Sequence, residues 1–406
     1  MIYHFNLAYL DGISGGDRYL AELVRHLSKM NVPNSIVTTE RGARLFVNDG
    51  LEESALCRYV TVPDFMRVGG GPMEILAAYA ARTVRAIKVL KALRFAAGDL
   101  IYCHNEFIPN VVPLKILQRG KAELPLIYHL HMTAPKIWRG YKGHFTGRRC
   151  APKPRLLHYH FEQFVFRRLV DQRALIVTNN RECRKTAAEW FPRNRIYDIR
   201  NYGGVEVPPG DDVEKKYDLV WCGRFHDQKG LPQAVEVLAR IKAHRPQVRM
   251  AVIGQGNPWE RQLKKNVANK GLSDNVDLLG YIDGQQKYEV MHSAKVFLMT
   301  SLFESHGQVN LEAMKCGLPV VAFDLPPFQT FEHGMIRVPI ADTAAMATEV
   351  ERLLGDAGLY AAMSAEAFAF AEPFSWDTTG AEVLSNCIAP MIADNPRNIG
   401  DRDDKQ

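Results

Sequence analysis

The chain reads as an α/β protein made of two doubly wound domains whose strand ends line a common cleft. Short apolar runs alternate with amphipathic stretches of helical period from one end to the other. Runs such as Val296-Phe297-Leu298-Met299 are apolar on both faces, which marks strands buried in parallel sheets with helices on each side. The alternation is interrupted at Gly203-Gly204 and Pro208-Pro209-Gly210-Asp211-Asp212, then restarts. That break sets the expected boundary between a domain of residues 1–205 and one of residues 206–375.

In order, apolar runs predict strands over Ile2–Ala8, Ser35–Thr39, Leu100–Cys103, Leu126–Leu130 and Ala174–Thr178. Helical spacing predicts helices over Gly16–Met30, Met73–Phe95, Leu156–Leu169 and Arg181–Trp190. Beyond the break come strand Tyr217–Cys222, helix Leu231–His244, strand Val248–Ile253 and helix Trp259–Lys270. Strand Val276–Leu279 and helix Gln285–His292 follow, then the strands Val296–Met299 and Leu318–Phe323 with a helix between them that Gly317 stops. Residues 393–406 are polar and expected to be a disordered tail.

Composition excludes several classes. Hydrophobic content of 47% and charged content of 24% over 406 residues are those of a globular protein large enough for two or three domains. No run of eighteen apolar residues suggests a spanning helix, and the start lacks the pattern of a signal peptide, so a cytoplasmic protein is expected. Seven scattered cysteines without a C-x-x-C pair fit free thiols and argue against structural zinc. His129-x-His131 and His158-x-His160 lack a third ligand at a characteristic distance, so no metal is expected. A net charge of +6 is too mild to imply nucleic acid. Basic residues cluster in Arg82–Arg94 and in Arg139–Arg155, however, and such faces could meet an anionic membrane at its inner surface.

The chemistry concentrates in the second half. Glu304 and Glu312 lie eight residues apart around Gly307, beyond the end of a parallel strand, where open α/β sheets bind ligands. Paired carboxylates suit a ligand with two hydroxylated rings, and the backbone N–H groups of Gly307, Gln308 and Val309, at a helix start, suit phosphate oxygens. After Tyr217–Cys222, Arg224 and Lys229 flank a turn that opens a helix and could neutralise a departing diphosphate. Gly254 sits in the next strand-end turn. In the first half, Gly15-Gly16 opens a helix where backbone can approach a ligand closely, and His131 ends the strand Leu126–Leu130. His129 lies two residues earlier on the same face, and His104 is a weaker candidate for the cleft.

The run Phe303-Glu304-Ser305-His306-Gly307 through Glu312-Ala313-Met314-Lys315-Cys316-Gly317-Leu318-Pro319-Val320-Val321 resembles the E-x7-E signature of family 4 glycosyltransferases. His306 departs from the aromatic residue usual there. Gly223-Arg224 with Lys229-Gly230 resembles that family's donor-phosphate motif, and Gly15-Gly16 its N-terminal glycine loop. The resemblance implies the GT-B fold, two Rossmann-like domains facing a central cleft, with a helix over 376–392 crossing back to the first domain. It further implies retaining transfer of a hexose-type sugar from a UDP- or GDP-sugar to a saccharide or lipid-linked acceptor, with no cofactor or essential metal. Glu312 would hold the ribose, Glu304 the sugar hydroxyls, and Arg224 and Lys229 the diphosphate, while His131 would lie near the anomeric carbon.

Other readings have their own signatures. A nicotinamide-dependent oxidoreductase needs G-x-G-x-x-G after a strand, which neither Gly12-Ile13-Ser14-Gly15-Gly16 nor Gly254-Gln255-Gly256 supplies. A non-catalytic sugar-nucleotide-binding subunit would not need the Glu304/Glu312 and Arg224/Lys229 sets intact. A phosphorylase or epimerase of the same fold would turn over with phosphate, or without an acceptor.

Overall fold

The computed structural model describes residues 1–7, 14–64, 72–121, 123–210, 213–256 and 259–395. The expected tail from residue 396 onward, Asp211-Asp212 of the break, and Asn257-Pro258 lie outside them. The chain forms two compact units: residues 1–137, 152–204 and 376–406, and residues 138–151 with 205–375. The segment Trp138–Ala151, which sequence order puts in the first half, therefore packs as part of the second unit.

The first unit holds β1 (Ile2–Asn6), β2 (Asn34–Thr39), β3 (Cys57–Val62), β4 (Leu100–Cys103), β5 (Leu126–Leu130), β6 (Leu175–Thr178) and β7 (Arg195–Asp198). They form one sheet in the order β3-β2-β1-β4-β5-β6-β7, every pair parallel. The order reverses between β1 and β4, the doubly wound pattern. Alternation along the strands splits the core in two. Phe5, Ile101, Cys103 and Tyr128 pack on one face, and Ile2, Leu100, Tyr102 and Ile127 on the other, against Tyr19, Leu23 and Leu27 of the helix Gly15–Lys29. Trp376, Val383, Cys387 and Met391 join this second face. The expected single C-terminal helix is a helix over Trp376–Val383, a wider π-type turn over Leu384–Ile388 and a last turn over Ala389–Ala393.

The second unit holds β8 (Tyr217–Cys222), β9 (Met250–Ile253), β10 (Val276–Gly280), β11 (Ala294–Met299), β12 (Val320–Phe323) and β13 (Met335–Val338). Their order is β10-β9-β8-β11-β12-β13, again all parallel, with the reversal between β8 and β11. Leu219, Trp221, Val252, Val296, Leu298 and Val321 face one layer of helices; Val220, Ala251, Ile253, Phe297, Met299 and Val320 face the other. Burying a side chain of this size contributes about 1.5–3 kcal/mol. The sheets thus explain why these strands read as unbroken apolar runs, and they place the β8 and β11 ends beside a switch point.

One reading of the basic clusters is corrected. Arg82 does not belong to a solvated basic face. Its guanidinium is wholly buried, donates to both carboxylate oxygens of Asp64 at 3.1 and 2.6 Å, and reaches the Leu7 carbonyl at 3.2 Å. Helical period alone does not separate a buried, paired arginine from an exposed one.

Candidate active site

In the second unit, backbone fixes the frame. The Gly223 N–H donates to the Ile253 carbonyl at 3.0 Å, joining the turns after β8 and β9. Gly254 has φ +143°, and a Cβ there would overlap the Gly223 carbonyl, so only glycine lets the two turns meet. The turn after β8 runs through Arg224 into one short 3₁₀ turn, Asp227–Lys229, capped by the His226 ring, which accepts from the Gln228 N–H at 3.2 Å. The Lys229 carbonyl accepts from Thr300 Oγ1 at 3.2 Å, and the Gln228 carbonyl from the Leu302 N–H at 2.8 Å. The loops after β8 and β11 are therefore tied by main chain.

Within that frame Lys229 Nζ donates to Glu304 Oε1, which also accepts from Ser301 Oγ at 2.7 Å. Glu304 is buried and Lys229 half-buried. A charge pair in such a place is costly to leave half-made. Arg224 is exposed at the same turn; burial raises the Tyr141 phenol's pKa, and the Arg224 charge opposes that rise.

Gly307 then caps the helix Gln308–Lys315 at φ +80°, where a side chain would press on Phe328 and Asn310. Gln308 and Val309 are half-buried in its first turn. Glu312, one turn on, accepts from Lys287 Nζ at 3.0 Å, and Lys287 lies 3.1 Å from Asp283. Burial disfavours the charged Lys287, but the attraction of Glu312 wins and raises its pKa. Burial and the Glu312 charge together push the Cys222 thiol up to about 12, which puts the Glu312 charge at the end of β8. Lys315 closes the helix by donating to the Val205 and Phe374 carbonyls at 2.6 and 2.8 Å.

The segment Trp138–Ala151 sits on this frame. Tyr141, His144 and Phe145 pack their rings around Phe303, with centroids 5.4, 5.0 and 5.7 Å away, and Lys142 pairs with Asp227 at 2.8 Å. The sequence marks this segment only as part of a basic stretch, and it singles out neither its aromatic residues nor Lys287. Lys287 carries no signal beyond being a basic residue inside a polar helix, and Tyr141 and Phe145 lie in a loop whose destination only the fold reveals.

In the first unit, Ser14 and Asp17 form a capping box, with Asp17 Oδ2 accepting from the Ser14 N–H at 2.9 Å and the Ser14 hydroxyl at 2.7 Å. Asn6 Nδ2 donates to the other Asp17 oxygen at 2.8 Å, so the Gly15-Gly16 loop is held to the end of β1. A Cβ on Gly16 would lie 3.4 Å from His131 Nε2, while nothing comes within 4 Å of one on Gly15. His131, not His129, is thus the ring beside the glycine loop. His129 is wholly buried behind it, stacked at 3.7 Å, with its Nδ1 3.2 Å from the Tyr102 hydroxyl. His131 Nδ1 lies 3.2 Å from the Tyr202 hydroxyl. His104 is buried too: its Nε2 is 2.9 Å from His4 Nδ1, and its ring stacks on Tyr102 at 4.3 Å. Burial lowers all four imidazole pKa values, those of His4 and His131 to about 4. No group of three or more His, Cys, Asp or Glu placed to hold a metal ion occurs among the described residues.

Comparison with known proteins fits this architecture. Residues 13–202 match the family described as Glycosyltransferase Family 4, and residues 208–370 match Glycosyl transferases group 1. The chain is 25% identical to the phosphatidyl-myo-inositol mannosyltransferase of Mycolicibacterium smegmatis over 80% of this chain and 81% of that one. It is 33% identical to the GDP-mannose:cellobiosyl-diphosphopolyprenol alpha-mannosyltransferase of Xanthomonas campestris, over 33% of this chain and 36% of that one. Among solved structures, the sucrose-phosphate synthase of Thermosynechococcus elongatus shares the fold, with a TM-score of 0.73, 18% identity, and coverage of 95% and 97%. Matched along both units by the two halves of one enzyme family, the chain belongs to the group 1, family 4 glycosyltransferases and is a glycosyltransferase of GT-B fold.

Proposed function

We propose that the protein is a retaining hexosyltransferase that moves a sugar from a UDP- or GDP-sugar to a lipid-linked acceptor in cell-surface glycan assembly. One observation carries the donor reading: Lys229 and Glu304 pair between the tied loops at the carboxyl ends of β8 and β11, and Glu312, on the helix that the second loop opens, pairs with Lys287 of the helix Gly284–His292. Glu312 is assigned to the ribose hydroxyls and Glu304 to the sugar hydroxyls. The N–H groups from Gly307 to Val309 and the turn at Gly254 are assigned to the phosphates. Arg224 and Lys229 neutralise the diphosphate as its bond to the anomeric carbon breaks. In the first unit, Gly15, Gly16 and His131 are assigned to the transferred sugar, where a neutral imidazole donates or accepts one hydrogen bond without adding charge.

In this reading the acceptor oxygen bonds to the anomeric carbon on the face the diphosphate leaves, and the acceptor proton passes to the departing phosphate oxygen. The charge is met by Arg224 and Lys229 with no essential metal. The lipid-linked acceptor draws its support from the two mannosyltransferases named above, whose acceptors are a phosphatidylinositol and a diphosphopolyprenol sugar. Among the described residues no helix is long and apolar enough to cross a membrane. Contact with the lipid end at the inner membrane surface is part of the proposal.

The test is transfer with EDTA present, reading product configuration by NMR in the wild type and rates in Glu304→Ala and Lys229→Ala. Retention of configuration, with each variant slowed at least ~100-fold, is the expected result. Inversion, or near-wild-type rates in both variants, would overturn the assignment.

A further inference from the structure

The helix Pro154–Leu169 buries Leu156, Glu162, Gln163 and Phe166 in the first unit. Its other face carries Leu157, Phe161 and Phe164, which are 48%, 53% and 50% exposed. Positions four and three apart share one stripe of a helix, so these apolar side chains stand together in solvent. An exposed stripe of one leucine and two phenylalanines is not the ordinary scatter of surface apolar residues.

Charge on the same helix has one sign. Arg155, Arg167 and Arg168 are exposed, and the Arg168 guanidinium lies 5.0 Å over the Phe164 ring. The helix contains one acid, Glu162, and it is wholly buried, facing His158 at 2.9 Å. The helix Pro72–Ala92 meets it through Tyr79 and His158, with rings 5.7 Å apart, and exposes Leu76, Val84, Lys88 and Lys91, with one acid, Glu74, in its first turn.

We infer that Pro154–Leu169 is an interfacial membrane helix that seats Leu157, Phe161 and Phe164 among the acyl chains of an anionic phospholipid surface, with Arg155, Arg167 and Arg168 at the headgroups. An aromatic and aliphatic stripe flanked by arginines, with no exposed acid, matches the chemistry of helices that lie in the plane of an interface. A protein partner would also cover the apolar stripe. The three exposed arginines of this helix, with no exposed acid on it, and the arginine stacked on Phe164 favour a surface of closely spaced phosphates. Of the basic stretch Arg139–Arg155, Arg155 belongs to this helix, while Arg139, Lys142, Arg148 and Arg149 belong to the other unit.

The inference extends the proposed lipid-linked acceptor, but vesicle binding is measured without donor or acceptor, so the two readings fail separately. The full chain is mixed with vesicles of phosphatidylcholine containing phosphatidylglycerol, and with phosphatidylcholine alone, at low and physiological salt. Phe161→Trp reports insertion, and Phe161→Ser/Phe164→Ser removes the stripe. The fold is checked by circular dichroism. The emission that Phe161→Trp adds to that of the wild type should shift to the blue on anionic vesicles and be quenched by brominated acyl chains. Binding should be stronger to the anionic vesicles, and at least ~100-fold weaker in the double variant. Unshifted emission on anionic vesicles would overturn the inference, as would a double variant that binds like wild type. A wild-type dimer that the double variant abolishes, without vesicle binding, would give the stripe to a second copy of the chain and equally overturn it.

Discussion

Replacing His4 by phenylalanine tests whether the buried imidazoles set the acid stability of the first unit. His4 is wholly buried, hydrogen-bonded to Asn34 at 3.0 Å and to His104 at 2.9 Å, and burial lowers its pKa to about 4. In the unfolded chain it titrates at about 6.5. Because the folded pKa lies below the unfolded one, the unfolded state takes up the proton first. Stability is full above about 6.5 and lost as pH falls toward about 4. Linkage gives a loss of about 2 kcal/mol from His4 alone between pH 7.5 and 5. His131, at about 4, and the further lowered His104 and His129 act in the same direction. The tyrosines against these rings, Tyr19, Tyr102 and Tyr202, have raised pKa values and stay neutral, so they offer the protons no counter-charge. Glu162 works the other way. Burial pushes its carboxyl up to about 7, so acidification over the same range returns about 2 kcal/mol.

The wild-type slope is therefore a difference, and the clean readout compares wild type with His4→Phe. At pH 7.5 the variant should be less stable by about 1–3 kcal/mol, since His104 and Asn34 lose a partner. By pH 5 that gap should shrink by about 2 kcal/mol, because the variant has one fewer proton to take up on unfolding. Urea unfolding followed by circular dichroism at several pH values measures it, with the transitions of the two units fitted separately. A gap constant to within about 0.5 kcal/mol across that range would mean that burial does not hold His4 neutral in the folded protein.

Two further outcomes follow from the second unit. Lys287→Met leaves Glu312 without its partner at 3.0 Å, so nucleotide affinity should fall by about 10-fold or more while sugar preference is kept; unchanged affinity by calorimetry would remove Lys287 from the site. Gly254→Ala forces a Cβ onto the Gly223 carbonyl, so it should lower the unfolding midpoint and donor affinity together, by at least ~1 kcal/mol in stability. A variant as stable as wild type would mean that the two strand-end turns are not locked together.

Much of this arrangement is legible in the sequence because parallel strands buried on both faces leave unbroken apolar runs. Leu100–Cys103, Leu126–Leu130 and Tyr217–Cys222 fall where the runs put them. The strands that escape notice are at or near sheet edges. β3 and β7 are partly exposed, and in Cys57-Arg58-Tyr59-Val60-Thr61-Val62 charged and polar residues break the run. The helix Ile108–Gly120 is hidden by Pro109 and Pro113, which local rules read as breakers; Pro109 sits in the first turn, where no hydrogen bond is lost, but Pro113 lies inside. At the candidate site, Glu304 and Glu312 are marked by their spacing along one strand-end loop and the helix it opens, and Arg224 and Lys229 by theirs around one turn. Lys287 and Phe145 are not, because they reach the site through tertiary packing, from a helix 25 residues before Glu312 and from a segment on the far side of the domain break.

Thermal shift and calorimetry across UDP-, GDP- and ADP-sugars decide whether Glu304, Glu312, Arg224 and Lys229 form a nucleotide-sugar site. NAD serves as control, each ligand is measured with and without EDTA, and Glu312→Ala runs beside wild type. One nucleotide should stabilise the wild type regardless of EDTA, and Glu312→Ala should lose most of that shift. Stabilisation by NAD alone, by none of the panel, or equally in Glu312→Ala would contradict that assignment.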